Sequence, residues 1–146
     1  MTQASCQNTA TKALDVTLNS ALNSTLKDPF AQLLGITTLE ATWERSVCQM
    51  TLTADHNNAL GGTHGGVLFA LADIAFAVAC NAGTDTYIGL QAEMRYMNPV
   101  KGQRITATAT RVSGSKKISH YQVLVTDEQA RKIALFTASA YCLGQR

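Results

Sequence analysis

Charge is scarce in this sequence, and no apolar run reaches membrane length. Of its 146 residues only 15% are charged, and the net charge is +2. That balance excludes a chain that holds nucleic acid or a membrane surface through bulk charge. A polyanionic ligand would have to be met by a local cluster. The most apolar stretch, Val67 to Ala82, is too short to span a bilayer and carries Asp73 midway. The four cysteines, Cys6, Cys48, Cys80 and Cys142, show no metal-ligand spacing, which argues against a zinc site. Internal repeats and linkers are absent. Nothing in the first thirty residues resembles a signal peptide, so a cytoplasmic protein with free thiols is expected.

What is present is a hydrophobic content of 46% in a chain of single-domain length. One sizeable core is expected, with some surface to hide in an oligomer. Leu14, Leu18, Leu22 and Leu26 recur every four residues, as on an amphipathic helix. Residues 1–27 read as a partly helical extension, and residues 28–146 as the folded domain. In "DPFAQLLG", Asp28 can cap a helical turn, Pro29 suits its first position and Gly35 can end it. Ile36 to Thr53 reads as two strands with a tight connection. His56 to Thr63 is a polar, glycine-rich loop. A helix then runs from about His64 or Gly65 to Asn81, with Gly83 as its stop. It is apolar on nearly every side, so other elements must wrap it. Ile88 to Tyr96 alternates with period two, and Asn98 and Pro99 close it. Gln103 to Val112, Ile118 to Thr126 and Arg131 to Leu143 give three more strands, which read with the first as a meander. "SGSKK" and "TDEQA" are the turns. One curved antiparallel sheet around one long hydrophobic helix satisfies this order: an α+β protein of hotdog architecture.

Asp73 is the residue that asks for an explanation. Its helical neighbours are Phe69, Ala70, Phe76 and Ala77, all apolar. A carboxylate buried there needs a partner or a purpose. It is either a structural group paired with backbone or an arginine, or a base or nucleophile held in a pocket. "THGG" opens the same helix. Helix starts leave backbone N–H groups unpaired and favour negative charge. With no side chain at Gly65, a carbonyl could approach that backbone and be polarised. His64 can position the loop or touch substrate. Asn58 can cap its own loop or orient a water or carbonyl.

The stretch "HNNALGGTHGGVLFALADIAFAVACN" resembles the signature of the phenylacetic-acid-degradation type (PaaI-like) hotdog thioesterases. The likeness continues through "MRYMNPVKGQRITATATRVSGSKK" and "ALFTASAYCLG" and covers roughly residues 28 to 144. Asn58, Gly61, His64, Gly65, Gly66 and Asp73 fall at the family's spacing. The resemblance implies hydrolysis of acyl-coenzyme A thioesters without metal or cofactor. It implies that Gly65 offers its N–H to the thioester carbonyl and that Asn58 helps orient carbonyl or water. It implies that Asp73 is the catalytic carboxylate, used across a dimer interface. His64 and Gly66 would line the substrate. Where some relatives carry a hydroxyl after the helix, this chain has Gly89. Coenzyme A carries phosphates, and Arg111, Lys116 and Lys117, with Lys101 and Arg104 nearby, are candidates to hold them; a solvated hairpin turn is the plain alternative. The acyl group is expected to be aromatic, of phenylacetyl type, or medium-chain. A homodimer or a dimer of dimers is expected, with no nucleic acid or membrane partner. The fold alone leaves two rivals. One is a dehydratase of enoyl or hydroxyacyl thioesters, and the other a non-catalytic acyl-CoA binding protein.

Overall fold

The computed structural model describes residues 27–145. The leucine stripe and Cys6 lie outside them. Helix α1 is one short turn, Pro29–Leu33. Asp28 accepts hydrogen bonds from the amides of Phe30 at 2.9 Å and Ala31 at 3.1 Å, and Gly35 ends the turn at φ +67°. The strands are β1 (Thr37–Ala41), β2 (Arg45–Thr51), β3 (Asp85–Tyr96), β4 (Arg104–Gly114), β5 (Ile118–Asp127) and β6 (Lys132–Gln145). The long helix α2 is Gly65–Cys80.

All six strands form one antiparallel sheet in the order β1-β2-β4-β5-β6-β3. The expected four-strand meander is corrected here. Only β4, β5 and β6 run as neighbours; β3 pairs with β6 at the far edge. Helix α2 crosses beneath the sheet and delivers the chain to that edge. Period-two patterning reports which face a residue takes, not which strand lies beside it.

Inward positions are buried in alternation: Ile105, Ala107 and Ala109 on β4, then Tyr121, Val123 and Val125 on β5. An aromatic row follows the helix. Phe76 meets Tyr121 at 5.6 Å between ring centroids, and Phe69 meets Phe136 at 5.2 Å. Ser46 Oγ donates to the helix carbonyl of Ala75 at 2.6 Å, tying β2 to α2. Truncating a core side chain such as Leu71, which has no exposed surface, would cost about 2–5 kcal/mol. Burial pushes the Cys48 thiol up to about 11 despite a bond to Thr38, so it acts as a small apolar group. No helix among the described residues is long and apolar enough to cross a membrane.

The sheet has two distinct ends. One carries the 52–64 loop, the start of α2, the β5–β6 turn and Tyr96, which pairs with Ala134. The other carries the β4–β5 turn, the end of α2 and Asp85, which pairs with Gln145. Strand β3 is exposed along most of its length and, among the described residues, has a neighbouring strand on one side only.

Candidate active site

The loop before α2 is organised by Asn58. Its Oδ1 accepts from the amides of Leu60 at 2.9 Å and Gly62 at 3.2 Å, and its own amide donates to Gly62 O at 2.7 Å. Gly61 takes φ +81°, a value that favours glycine. His56 closes the base of the loop by accepting the His64 amide at 2.8 Å on its carbonyl. Asn58 therefore shapes the loop while lining the cleft beside it.

His64 caps the helix. Its Nδ1 accepts the Gly66 amide at 2.9 Å. Its carbonyl accepts Val67 N at 3.0 Å and Leu68 N at 3.4 Å. In the first turn of α2 this leaves one amide, that of Gly65, without an acceptor among the described residues. Of the two glycines singled out by sequence, Gly66 has its donor occupied and Gly65 has its donor open. An open amide at a helix start is an electropositive point aimed at whatever enters.

Gly65 lines a cleft of about 430 Å³ with Asn58, Thr63, Leu68, Tyr96 and Val100. Tyr96 was missed by sequence reasoning. Its hydroxyl donates to the Gly65 carbonyl at 3.3 Å. A strand-ending aromatic just before "NPV" was the available signal, but nothing in one sequence places it against a glycine 31 residues earlier. The far wall of the cleft is pinned by Asp127 and Arg131. Asp127 Oδ2 accepts the Lys101 amide at 3.2 Å and Arg131 Nε at 2.9 Å, while Arg131 Nη2 donates to Pro99 O at 3.1 Å. Burial pushes the Asp127 carboxyl up, but its bonds from Arg131, Lys101 and Gln129 outweigh this and hold it below the usual carboxylate range.

Asp73 is not in this cleft. It lies two turns further along α2, about 12 Å from Gly65 at 1.5 Å per residue. The sequence predicts a buried Asp73, and the structure corrects that: in the single chain the residue is exposed. The sheet wraps one side of the helix and leaves Gly66, Asp73 and Ala77 uncovered along one line. Apolar neighbours still crowd the carboxyl, and that desolvation raises its pKa above the ordinary value.

Arg111, Lys116 and Lys117 are also elsewhere, whereas Lys101 and Arg104 lie at the Gly65 end of the sheet. Arg111 lies over the Trp43 ring at 5.2 Å and its Nη1 reaches Glu44 at 3.5 Å. Lys117 Nζ sits 5.7 Å from the Tyr141 ring, and Lys116 is exposed in the β4–β5 turn. Within one chain this turn is at the end of the sheet opposite Gly65. Among the described residues no three His, Cys, Asp or Glu side chains converge as a metal site would need.

Known proteins share both the sequence and the shape. Residues 60–134 match the family described as Thioesterase superfamily. The chain is 32% identical over 118 residues to the acyl-coenzyme A thioesterase PaaI of Escherichia coli (strain K12), covering 80% of this chain and 84% of that protein. The structure of the E. coli PaaI protein superposes with a TM-score of 0.83 at 28% identity, over 90% of this chain and 97% of that one. A mutant of the phenylacetic acid degradation protein PaaI from Thermus thermophilus superposes with a TM-score of 0.74 at 36% identity, over 80% of this chain and 100% of that one. A six-stranded antiparallel sheet over one long helix, with this likeness in sequence and shape, answers the question of kinship: the chain belongs to the thioesterase superfamily.

Proposed function

We propose that this chain hydrolyses acyl-coenzyme A thioesters to the free acid and coenzyme A, in active sites shared between two copies of the chain. The observation that carries this reading is the open Gly65 amide in an apolar-walled cleft, with Asp73 exposed two turns away on the same helix. A thioester oxygen on the Gly65 N–H places its carbon a few ångströms from that amide. The Asp73 of the same chain, about 12 Å along the axis, falls short of it. A second helix running antiparallel along the uncovered line brings the partner subunit's Asp73 opposite Gly65. The free edge of β3, where Ile88 is 47% and Leu90 55% exposed, offers the join. Two sheets continued through that edge would form a homodimer and cover the uncovered line at once. A dimer of dimers is the further assembly we expect.

In such a site the Gly65 amide takes the charge that grows on the thioester oxygen. The partner subunit's Asp73 takes a proton from the attacking water, or attacks directly to give a mixed anhydride that water then hydrolyses to the free acid and the carboxylate. A C–O bond forms at the carbonyl carbon, the C–S bond breaks, and the coenzyme A thiolate leaves and is protonated. The reaction uses water and calls on no cofactor. The antiparallel join also turns the partner's β4–β5 turn toward the Gly65 end of the sheet. Lys116 and Lys117 of that turn then face the phosphates of the substrate. Arg111, committed to Trp43 and Glu44, supports the turn rather than reaching outward. Phenylacetyl-type aromatic and medium-chain acyl groups are the classes that suit the walls given by Leu68, Tyr96 and Val100. The location we expect is cytoplasmic, where the buried thiols of Cys48, Cys80 and Cys142 would stay reduced.

Complementation between two dead variants tests the shared site. Gly65→Pro deletes the amide, and His64 at ψ 132° already has the backbone a following proline needs. Asp73→Asn deletes the carboxylate. Each alone should be inactive on an acyl-CoA panel. Refolded together, mixed two-fold dimers hold one intact site each, so roughly a quarter of wild-type activity should return. A mixture as inactive as its parts would place both residues in one chain's site, and a wild-type chain without turnover would reject the thioesterase reading.

A further inference from the structure

We propose that Tyr96 is a positioning residue for the Gly65 amide, and that Tyr96 is why position 65 is glycine. The inference rests on the proposed role of that amide. Gly65 does not take a positive φ, so its backbone asks for no special residue. The space beside it is what asks. A Cβ added at Gly65 would lie 3.2 Å from Cε1 and Cζ of Tyr96 and 3.3 Å from its hydroxyl. The place a side chain would fill is taken by the tyrosine ring rather than left open for substrate.

The hydroxyl then does a second thing. The Gly65–Gly66 peptide unit is held at both ends: its carbonyl accepts from Tyr96 at 3.3 Å, and its N–H donates to His64 Nδ1 at 2.9 Å. The next unit toward the N-terminus carries the open Gly65 amide. Helix starts fray because their amides lack intrahelical partners. Two pins on the first full peptide of α2 fix the direction in which the Gly65 N–H points. Tyr96 can act as a pin because it is itself anchored. It ends β3 in register with Ala134 of β6, and the following Met97 amide donates to Ile133 O at 2.9 Å. The tyrosine thus ties the aim of a helix amide to the sheet.

Tyr96→Phe keeps the ring and removes the pin. Its kcat should fall about fivefold, the scale of one neutral hydrogen bond, with KM unchanged and the melting temperature lowered by no more than about 4 °C. Exchange of the Gly66 amide, followed by NMR, should quicken in the same variant, which reads the pin without any substrate. Gly65→Ala should lower kcat in the wild-type background, where the new methyl displaces the ring. In a Tyr96→Ala background the same methyl should cost nothing further. Wild-type kcat and unchanged exchange in Tyr96→Phe would overturn the proposal. So would an equal cost of Gly65→Ala in both backgrounds, or a loss of kcat in Tyr96→Phe with melting well over about 4 °C early. A wild-type chain that turns over no acyl-CoA rejects the thioesterase reading, and the exchange measurement still decides the pin.

Discussion

The Gly66 amide donates to Nδ1 of His64 at 2.9 Å, so the ring folds back over the start of its own helix. A Cβ at Gly66 would meet that nitrogen at 3.0 Å, which accounts for the second glycine of "HGG". The bond makes His64 an N-cap in function, a task more often given to Ser, Thr, Asp or Asn. His64→Ala should cost about 1 kcal/mol as a lost cap and lower the melting temperature by about 4 °C. His64→Asn should restore most of that. Thermal melts of both variants check the assignment; equal losses would mean the ring serves by packing instead.

Asp73 carries a carboxyl raised by desolvation, and two measurable consequences follow in opposite senses. The proposed work of Asp73 as base or nucleophile needs the ionised form. Activity should therefore rise with pH through the folded-state pKa, and the acid limb of kcat/KM should lie above the ordinary carboxylate value. Stability runs the other way. Between the unfolded and the raised folded pKa the native chain holds more protons, so folding loses stability as pH rises through that window. Asp73→Asn should melt no earlier than wild type at neutral pH, while kcat falls at least ~100-fold. Early melting with near-normal turnover would return Asp73 to a structural role.

The features that were legible in the sequence share a cause. "THGG" before an apolar run gave the start of α2, because capping and glycine are local signals. Strand positions followed from alternation, another local signal. The place of β3 beside β6 did not, since pairing depends on where a helix delivers the chain. Asp73 was found through its apolar neighbours, yet its exposure was not. Whether a sheet covers a given line of a helix is decided by strands far away in sequence. Tyr96 was missed for the same reason: its contact with Gly65 crosses from the sheet to the helix.

Lys116 and Lys117 discriminate between a substrate clamp and a solvated turn. In one chain they stand at the end of the sheet away from Gly65, so any effect on substrate must come through a partner. Replacing both with Ala should raise KM for acyl-CoA and leave kcat unchanged. The effect should weaken as salt rises and vanish for acyl-pantetheine substrates without the nucleotide. Unchanged KM would assign the pair to a solvated turn.

The proposed shared site depends on the edge of β3. Among the described residues its outer side pairs with no strand, and it displays Ile88 and Leu90. Such an edge invites pairing, and natural chains that avoid pairing place charge there. Ile88→Lys with Leu90→Lys puts two like charges on the join, doubled again by the two-fold axis. The single-chain fold should survive, because both side chains are already half in water. Sedimentation should then show a monomer for the double variant and a dimer or larger for the wild type. If Gly65 and Asp73 meet only across the join, this monomer keeps every residue of the site and hydrolyses no acyl-CoA. Its circular dichroism should match wild type, which separates lost assembly from lost folding. A folded, monomeric double variant with wild-type kcat would show that one chain suffices, and the partner subunit's Asp73 would have no part in the reaction.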